Sequence, residues 1–159
     1  MDTFSKIVTD NQLQHLLAVW RFKDDVIVFT NGCFDMLHPG HISYLEKARS
    51  LGDRLIVGLN SDESVKRLKG SSRPVNNQSD RARLLAALQC IDAVVLFEED
   101  TPARLIEEVK PDILVKGGDY SLNQVVGASY VQSYGGRVEI LPYVPGYSSS
   151  NILEKLKHR

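Results

Sequence analysis

The stretch from Val26 to His41 reads VIVFTNGCFDMLHPGH. Its first four residues are apolar and mostly β-branched, which predicts a strand buried on both faces of a parallel sheet. Pro39 suits the first position of a helix, because that position needs no amide donor. The stretch therefore predicts a strand, a polar loop and a helix in succession, the unit from which parallel α/β sheets are built.

Alternating apolar runs and helical patterns extend this unit along the chain. A first helix is predicted with its cap at Asp10-Asn11 and an apolar face of Leu13, Leu16, Leu17 and Trp20. Further strands are predicted at 55–59, 93–97, 113–115 and 138–141. Further helices are predicted at 61–70, 80–89 with Leu84, Leu85 and Leu88 inward, 102–109, 122–134 and 148–156. This order predicts a Rossmann-like, doubly wound sheet of five parallel strands.

Length and composition limit the classes of protein that this chain can represent. Its 159 residues suit one domain, with a core over 25–159 behind an N-terminal helical extension over 1–24. The 19 basic and 20 acidic residues give a net charge of −1, so we expect neither a nucleic acid nor a membrane as partner. Two cysteines and no apparent signal peptide predict a cytoplasmic location.

Polar residues follow three of the predicted strands. Ligands of open parallel sheets bind beyond the carboxyl ends of the strands. The segments at those ends are Asn31–His41, Lys116–Tyr120 and Pro142–Ser150. We expect them to surround one ligand site.

Two histidines flank the predicted start of the helix at Pro39. His38 and His41 are three residues apart and share a helix face, where free amides and the positive helix end attract anions. Gly32 allows a ligand to approach the backbone closely. Two imidazoles there can stabilise charge that develops on phosphorus. The structural alternative is that His38 caps the helix and His41 packs on the sheet.

Other polar residues suit a phosphate or sugar ligand, although each has a structural alternative. Lys69 and Arg73 can neutralise a polyphosphate, or complement a helix dipole. The run Lys116-Gly117-Gly118-Asp119 can approach a base or sugar, or form a tight turn. Ser148, Ser149 and Ser150 can bind phosphate oxygens, or cap a helix. Asp35 can contact the ligand, or support the loop.

These motifs carry a resemblance to a known family. Gly32-Cys33-Phe34-Asp35 followed by His38-Pro39-Gly40-His41 resembles the H-x-G-H motif of the nucleotidyltransferase superfamily. Further motifs resemble the heptose 1-phosphate adenylyltransferases: Arg67–Gly70, Arg73–Asn76, Phe97–Pro102, Leu114–Tyr120 and Ser148–Ile152. In that family the transferase is often fused behind a sugar kinase, and 159 residues leave no room for one, so a stand-alone transferase is expected.

The resemblance implies an activity and a set of site residues. The implied reaction joins ATP and D-glycero-β-D-manno-heptose 1-phosphate to give ADP-heptose and pyrophosphate, by direct attack on the α-phosphate. The implied catalytic residues are His38, His41 and Lys69. The implied nucleotide-binding residues are Thr30, Asn31, Gly32, Cys33, Phe34, His38, His41, Arg73, Lys116, Gly117, Ser148, Ser149 and Ser150. The implied sugar-phosphate-binding residues are Asp35, Gly118, Asp119 and Tyr120.

Cofactors and partners follow from the same reaction. Mg²⁺ is expected on the ATP phosphates with few or no protein ligands. Relatives are commonly dimers, so the resemblance implies a homodimer as one expected partner. The second hypothesis is a cytidylyltransferase acting on glycerol 3-phosphate or another small phospho-alcohol. Its members often carry an arginine shortly before the serine motif, whereas this chain has Val144-Pro145-Gly146-Tyr147.

Three further hypotheses belong to other functional classes. Cys33 with His38 or His41 suggests a cysteine hydrolase, but no third orienting group is apparent. The same three side chains suggest a zinc site, but a fourth ligand is not apparent. A non-catalytic nucleotide sensor on the same fold is the third hypothesis, because a fold alone does not establish activity.

Overall fold

The computed structural model describes residues 2–157, and strands alternate with helices throughout them. The strands are β1 (Ile27–Gly32), β2 (Arg54–Asn60), β3 (Ala93–Phe97), β4 (Ile113–Gly117) and β5 (Arg137–Leu141). The helices are α1 (Asp10–Phe22), α2 (Pro39–Arg49), α3 (Asp62–Lys69), α4 (Gln78–Ala86), α5 (Ala103–Val109), α6 (Ala128–Ser133) and α7 (Ser149–Lys157). Short 3₁₀ turns cover Thr3–Lys6 and Leu122–Gln124.

The five strands form one parallel sheet in the order β3-β2-β1-β4-β5. The chain therefore moves outward from β1 to β3, returns to the centre, and continues on the other side through β4. The strand order reverses between β1 and β4, and such a switch point opens a crevice at the carboxyl ends of the strands. The predicted doubly wound α/β fold with five parallel strands is confirmed.

Apolar side chains cover both faces of the sheet. Leu17 of α1 and Ile106 of α5 pack in one cluster, on the face to which Phe29 points. Leu45 of α2 and Leu85 of α4 pack in the other, on the face to which Val28 points. Successive side chains of β1 thus point to two apolar faces, which explains why the run from Val26 to Phe29 contains no polar residue.

The segment before β1 packs against the sheet. Leu13, Leu17 and Trp20 of α1 are buried. The Val8 amide donates to the Val94 carbonyl at 3.0 Å, beside a parallel bridge between Ile7 and Val94. Ile7 and Val8, within the extension anticipated over 1–24, therefore cover the outer edge of β3. Met1 lies outside the described residues.

The cap of one helix and the buried face of another differ from the sequence prediction. The cap of α1 is Thr9, not Asp10-Asn11: the Thr9 hydroxyl accepts from the Gln12 amide, and the Gln12 side chain accepts from the Thr9 amide. Leu84 is 47% exposed rather than inward, whereas Leu85 is buried as predicted and shares the buried face of α4 with Arg81.

The predicted helix over 122–134 is divided in two. A 3₁₀ turn at Leu122–Gln124 and helix α6 are separated by Gly127, whose φ of 84° lies in the left-handed region. A Cβ at Gly127 would lie 2.7 Å from Ile106, so α5 packs against bare backbone there. This close approach is a tertiary contact that helical periodicity does not reveal.

No helix within residues 2–157 has both the length and the apolar content needed to cross a membrane.

Candidate active site

A cavity of about 530 Å³ lies at the carboxyl edge of the sheet, at the switch in strand order. Its wall brings together the three segments that the sequence analysis selected. The predicted residues on this wall are Asn31, Gly32, Cys33, Phe34, Asp35, His38, His41, Lys69, Lys116, Gly117, Tyr120, Ser148, Ser149 and Ser150. The predicted residues outside it are Thr30, Arg73, Gly118 and Asp119.

The two histidines form a stacked pair at the start of α2. Their ring centroids are 3.8 Å apart and the ring planes differ by 20°. His38 is the N-cap, and its Nδ1 accepts from the His41 amide at 3.3 Å. Because Nδ1 accepts, the proton of neutral His38 is on Nε2, which makes Nε2 a hydrogen-bond donor. Gly40 permits this packing, since a Cβ there would lie 3.0 Å from His38 Nδ1.

Desolvation keeps both imidazoles uncharged near neutral pH. Burial, followed by the positive charges of His38 and Lys69, lowers the pKa of His41 to about 4. Burial also lowers the pKa of His38 below its ordinary value. Among residues 2–157, Nδ1 of His41 has no hydrogen-bond partner. The pair therefore presents two neutral imidazoles at the start of α2.

Two lysines supply positive charge at this cavity. Lys69 ends α3, and Lys116 is the penultimate residue of β4. Desolvation lowers the pKa of Lys116, whose Nζ lies 5.6 Å from the centroid of the Tyr120 ring. In the described part of the chain neither lysine makes an ion pair. Both ammonium groups are thus available to an anionic ligand.

The serine motif places a second helix start at the cavity. Ser148 caps α7 by accepting from the Asn151 amide at 3.2 Å. Ser149 Oγ donates to the Met36 carbonyl at 3.1 Å, which links α7 to the loop after β1. The amino ends of α2 and α7 therefore face the same space, and each attracts negative charge.

Thr30 and Tyr44 form a buried hydroxyl pair below the cavity. Their oxygens are 2.6 Å apart, and the Tyr44 hydroxyl also donates to the Val115 carbonyl at 3.3 Å. Burial raises the pKa of Tyr44 to about 12. A Cβ at Gly117 would lie 3.1 Å from the Tyr44 ring. Thr30, predicted to bind nucleotide, therefore contacts Tyr44 and does not line the cavity.

Asp35 and Arg73 were predicted to contact ligand, and the structure pairs them with each other. Arg73 Nε donates to Asp35 Oδ2 at 2.6 Å, and the amides of Val75 and Asn76 donate to the same carboxylate. Burial alone would raise the pKa of Asp35, but these hydrogen bonds outweigh it and the pKa is lowered. The carboxylate is 1% exposed and holds the 73–76 loop against the loop after β1.

The cavity also contains aromatic residues that the sequence analysis did not select. Tyr44, Tyr143 and Tyr147 line it, and Tyr147 stacks on His38 with centroids 6.0 Å apart. Gly118, at φ 118°, lies beneath the Tyr143 ring. A Cβ added at Gly118 would lie 2.8 Å from that ring. Tyr143 and Tyr147 fall within the Pro142–Ser150 segment, so their place at a strand end was a usable signal.

Cys33, His38 and His41 are not arranged as a metal-binding site in the described part of the chain. Within residues 2–157, no group of three His, Cys, Asp or Glu side chains is arranged to hold a metal ion. Cys33 and Cys90 are both free thiols.

Comparisons with known proteins agree with this geometry. The family described as cytidylyltransferase-like matches residues 29–155. The bifunctional protein HldE of Koribacter versatilis is 57% identical over 95% of this chain and 31% of its own length. The chain spans about a third of the length of the curated relatives that it matches.

Solved structures extend the comparison to three dimensions. A lipopolysaccharide core biosynthesis protein from Thermoplasma volcanium is 32% identical with a TM-score of 0.61, covering 76% of this chain and 97% of its own. Pantothenate synthetase from Thermus thermophilus is 19% identical with a TM-score of 0.65, covering 96% and 70%, and shares the fold alone. The family match over most of the chain, on a fold that carries two stacked histidines at a helix start, places the protein in the cytidylyltransferase-like family of nucleotidyltransferases.

Proposed function

We propose that this domain transfers AMP from ATP to D-glycero-β-D-manno-heptose 1-phosphate, giving ADP-heptose and pyrophosphate. The observation that carries the proposal is the neutral, stacked His38–His41 pair at a helix start, with Lys69 and Lys116 on the same cavity wall. The resemblance of Leu114–Tyr120 and Ser148–Ile152 to heptose 1-phosphate adenylyltransferases supports the choice of substrates. Similarity to HldE and to a lipopolysaccharide core biosynthesis protein supports the same choice.

The chemistry requires positioning and charge stabilisation. An oxygen of the sugar phosphate forms a bond to the α-phosphorus of ATP. The bond from that phosphorus to the oxygen bridging the β-phosphate breaks, and pyrophosphate leaves with the electron pair. The attacking phosphate is already ionised near neutral pH, so neither a protein nucleophile nor a strong base is needed. Cys33 then acts only as a small side chain on the cavity wall.

Each polar group of the cavity has a role in this scheme. His38 Nε2–H and the ring of His41 donate to α-phosphate oxygens, where negative charge develops. The amino ends of α2 and α7, with Ser149 and Ser150, hold the remaining phosphates. Lys69 and Lys116 neutralise the triphosphate. Asn31, Gly32, Cys33, Phe34 and Gly117 form the wall against which the nucleotide lies.

The acceptor sugar is assigned to the loop after β4. Tyr120 lines the cavity, while Asp119 is exposed next to it and can accept hydrogen bonds from sugar hydroxyls. Gly118 supports this loop beneath Tyr143. Asp35, Arg73 and Thr30 act through the loops and rings that they hold, and we assign them no direct ligand contact.

Mg²⁺ is proposed to enter with ATP. Among the described residues that line the cavity, Asp35 is the one carboxylate, and its oxygens are engaged by Arg73, Val75 and Asn76. The donor set therefore suits an ion held by phosphate oxygens and water, the usual arrangement for Mg²⁺. When bound, the ion neutralises charge on the triphosphate.

We also propose a cytoplasmic location and a homodimer. Two free thiols favour a reducing compartment, which supports a cytoplasmic location. The resemblance to dimeric relatives supports a homodimer, and Phe22 of α1, which is 90% exposed, offers an apolar surface for it.

The test is a pyrophosphate-release panel. ATP and CTP are each combined with heptose 1-phosphate, hexose 1-phosphates and glycerol 3-phosphate. Turnover with ATP and heptose 1-phosphate well above every other pair is the expected result. Preference for CTP with glycerol 3-phosphate would support the cytidylyltransferase hypothesis. ATP binding without turnover in any pair would support the nucleotide-sensor hypothesis.

A further inference from the structure

Arg81 of α4 is a fully buried arginine outside the cavity wall. Its side chain is 0% exposed, although arginine is rarely buried completely in proteins. A buried charge is tolerated where hydrogen bonds and a counter-charge satisfy it. The partners of Arg81 therefore indicate what it holds in place.

Those partners come from three separate segments of the carboxyl edge. Nη1 donates to the Cys33 carbonyl at 2.7 Å and to the Asn60 carbonyl at 2.9 Å. Nε donates to the Asn76 carbonyl at 3.0 Å. Nη2 donates to Asp62 Oδ1 at 2.8 Å. One planar guanidinium thus joins the loop after β1, the end of β2 with the start of α3, and the 73–76 loop.

The loop after β1 contains a residue in an unfavourable backbone conformation. Phe34 has φ of 44°, in the left-handed region that bulky residues rarely adopt. Such a conformation persists where the surroundings over-determine it. The Cys33 carbonyl before it is held by Arg81, and the Asp35 carboxylate after it is held by Arg73, Val75 and Asn76.

The side chain of Phe34 connects this conformation to the proposed chemistry. Its ring meets that of His41 edge-on, with centroids 5.3 Å apart. The same ring lies 2.9 Å from the place that a Cβ on Gly32 would take. A shift of the Phe34 backbone would therefore displace both the His41 contact and the glycine surface where the nucleotide is assigned.

We propose that Arg81 is a positioning residue for AMP transfer. It fixes the Cys33–Asp35 loop, and through Phe34 it fixes His41, without touching substrate. This inference rests on the proposed function for its catalytic consequence. Its structural half, the control of the Cys33–Asp35 loop, can be tested apart from any reaction.

The experiment compares Arg81→Lys, Asp62→Ala and the control Arg54→Lys, all in a Cys90→Ser background. A lysine keeps the charge but cannot reproduce the planar set of donors. Arg54 is a matched control because it pairs with Asp25 and Asp92 at the other edge of the sheet. Three quantities are measured below the melting temperature of each variant: kcat, ATP affinity by calorimetry, and the rate of Cys33 alkylation by iodoacetamide.

We expect Arg81→Lys to lower kcat at least tenfold, with a smaller loss of ATP affinity, and to change Cys33 alkylation at least threefold. Asp62→Ala should change both in the same direction by less, and it serves alone if Arg81→Lys does not fold. Arg54→Lys should leave kcat and alkylation within twofold. Folded Arg81 or Asp62 variants with wild-type turnover and alkylation would overturn the proposal. A parent protein without any turnover would refute the proposed reaction, whereas the alkylation rates would still decide whether Arg81 controls the loop.

Discussion

The two ends of the parallel sheet differ in how completely their charged side chains are paired, although the carboxyl edge also contains the pairs Asp35–Arg73 and Asp62–Arg81. At the amino edge, Asp53, Asp92 and Asp112 each accept a backbone amide at the start of a strand, in every case at 2.8 Å. Arg54 adds ion pairs to Asp25 and Asp92. These carboxylates accept hydrogen bonds from backbone amides that would otherwise lack a partner at the strand ends. They thereby fix the register of the sheet.

The carboxyl edge leaves comparable groups without such partners. His38 and His41 are desolvated and neutral, and Lys69 and Lys116 make no ion pair among the described residues. Desolvation without compensation costs stability, and it persists where a ligand later supplies the missing interactions. Under the proposed function, the contrast separates polar groups that stabilise the fold from polar groups that bind substrate.

Loss of either imidazole should give the largest effect. His38→Ala and His41→Ala are each expected to lower kcat about 10²–10³-fold, because each removes a preorganised donor from the reacting phosphate. The measurement is pyrophosphate release with ATP and heptose 1-phosphate, with ATP affinity measured in parallel. His15→Ala is the control, since His15 lies exposed on α1. Near-normal turnover in both folded variants would contradict a catalytic role for the pair.

Substitution of Lys69 should have an intermediate effect on turnover of ATP. Lys69→Ala is expected to lower kcat/KM for ATP about 10–100-fold, the range for loss of a hydrogen bond to a charged group. Lys66→Ala is the matched control on the same helix, because Lys66 pairs with Glu63 at 2.6 Å and is exposed. Equal kinetics in the two variants would show that Lys69 is solvated surface.

A change at the amino edge should affect stability and leave the chemistry intact. Asp92→Ala leaves the Leu55 amide unsatisfied and removes the partner of Arg49 and Arg54, so we expect a loss of about 1–3 kcal/mol in the free energy of unfolding. Urea denaturation measures that loss, and kcat should stay within twofold. Asp100→Ala, at an exposed ion pair with Arg67, should cost less than about 1 kcal/mol. A large fall in kcat for Asp92→Ala would break the division between the two edges.

The last expected effect concerns the pH dependence of stability. The pKa of His41 is about 4 in the folded protein against 6.5 for an ordinary histidine, so between these values the unfolded chain binds a proton that the folded chain does not. Above pH 6.5 the contribution of His41 to the free energy of unfolding is therefore fully present. That contribution declines as the pH falls towards 4. His41→Gln removes that contribution. The difference between wild type and His41→Gln in unfolding free energy, measured from pH 7 to pH 4.5, should change with pH, and a constant difference would contradict the desolvated state of His41.

Residue pattern predicted the sheet well because the periodicity of buried strands is local. The bounds of β3 match at both ends, whereas β1 continues three residues beyond its predicted apolar run, to Gly32, and β4 continues two, to Gly117. Those extra residues are polar or small, and all of them except Thr30 line the cavity, so hydropathy could not include them. The His38–His41 motif was equally local, and its expected place at the cavity followed from Pro39 at the helix start and from the position of the loop after the first strand.

Pairings between distant residues were the part that sequence could not provide. Asp35 and Arg73 were each suited to a ligand by residue type, and only the fold brings them together. Arg81 reads as an ordinary helical arginine, since nothing in the neighbouring residues indicates three carbonyls and a carboxylate around it. Residue type predicts what a group can bind, whereas its actual partner depends on which segments the sheet order places side by side.

Helix α7 illustrates how a bound phosphate can become part of a protein's own architecture. None of its side chains is buried, so hydrophobic association contributes little to its docking. Its first turn contacts the loop after β1 through Ser149 and Met36. An anion bridging the amino ends of α2 and α7 would therefore tie the last helix to the first strand. By thermodynamic reciprocity, the factor by which such an anion would favour the docked α7 equals the factor by which docking of α7 would favour the anion's binding.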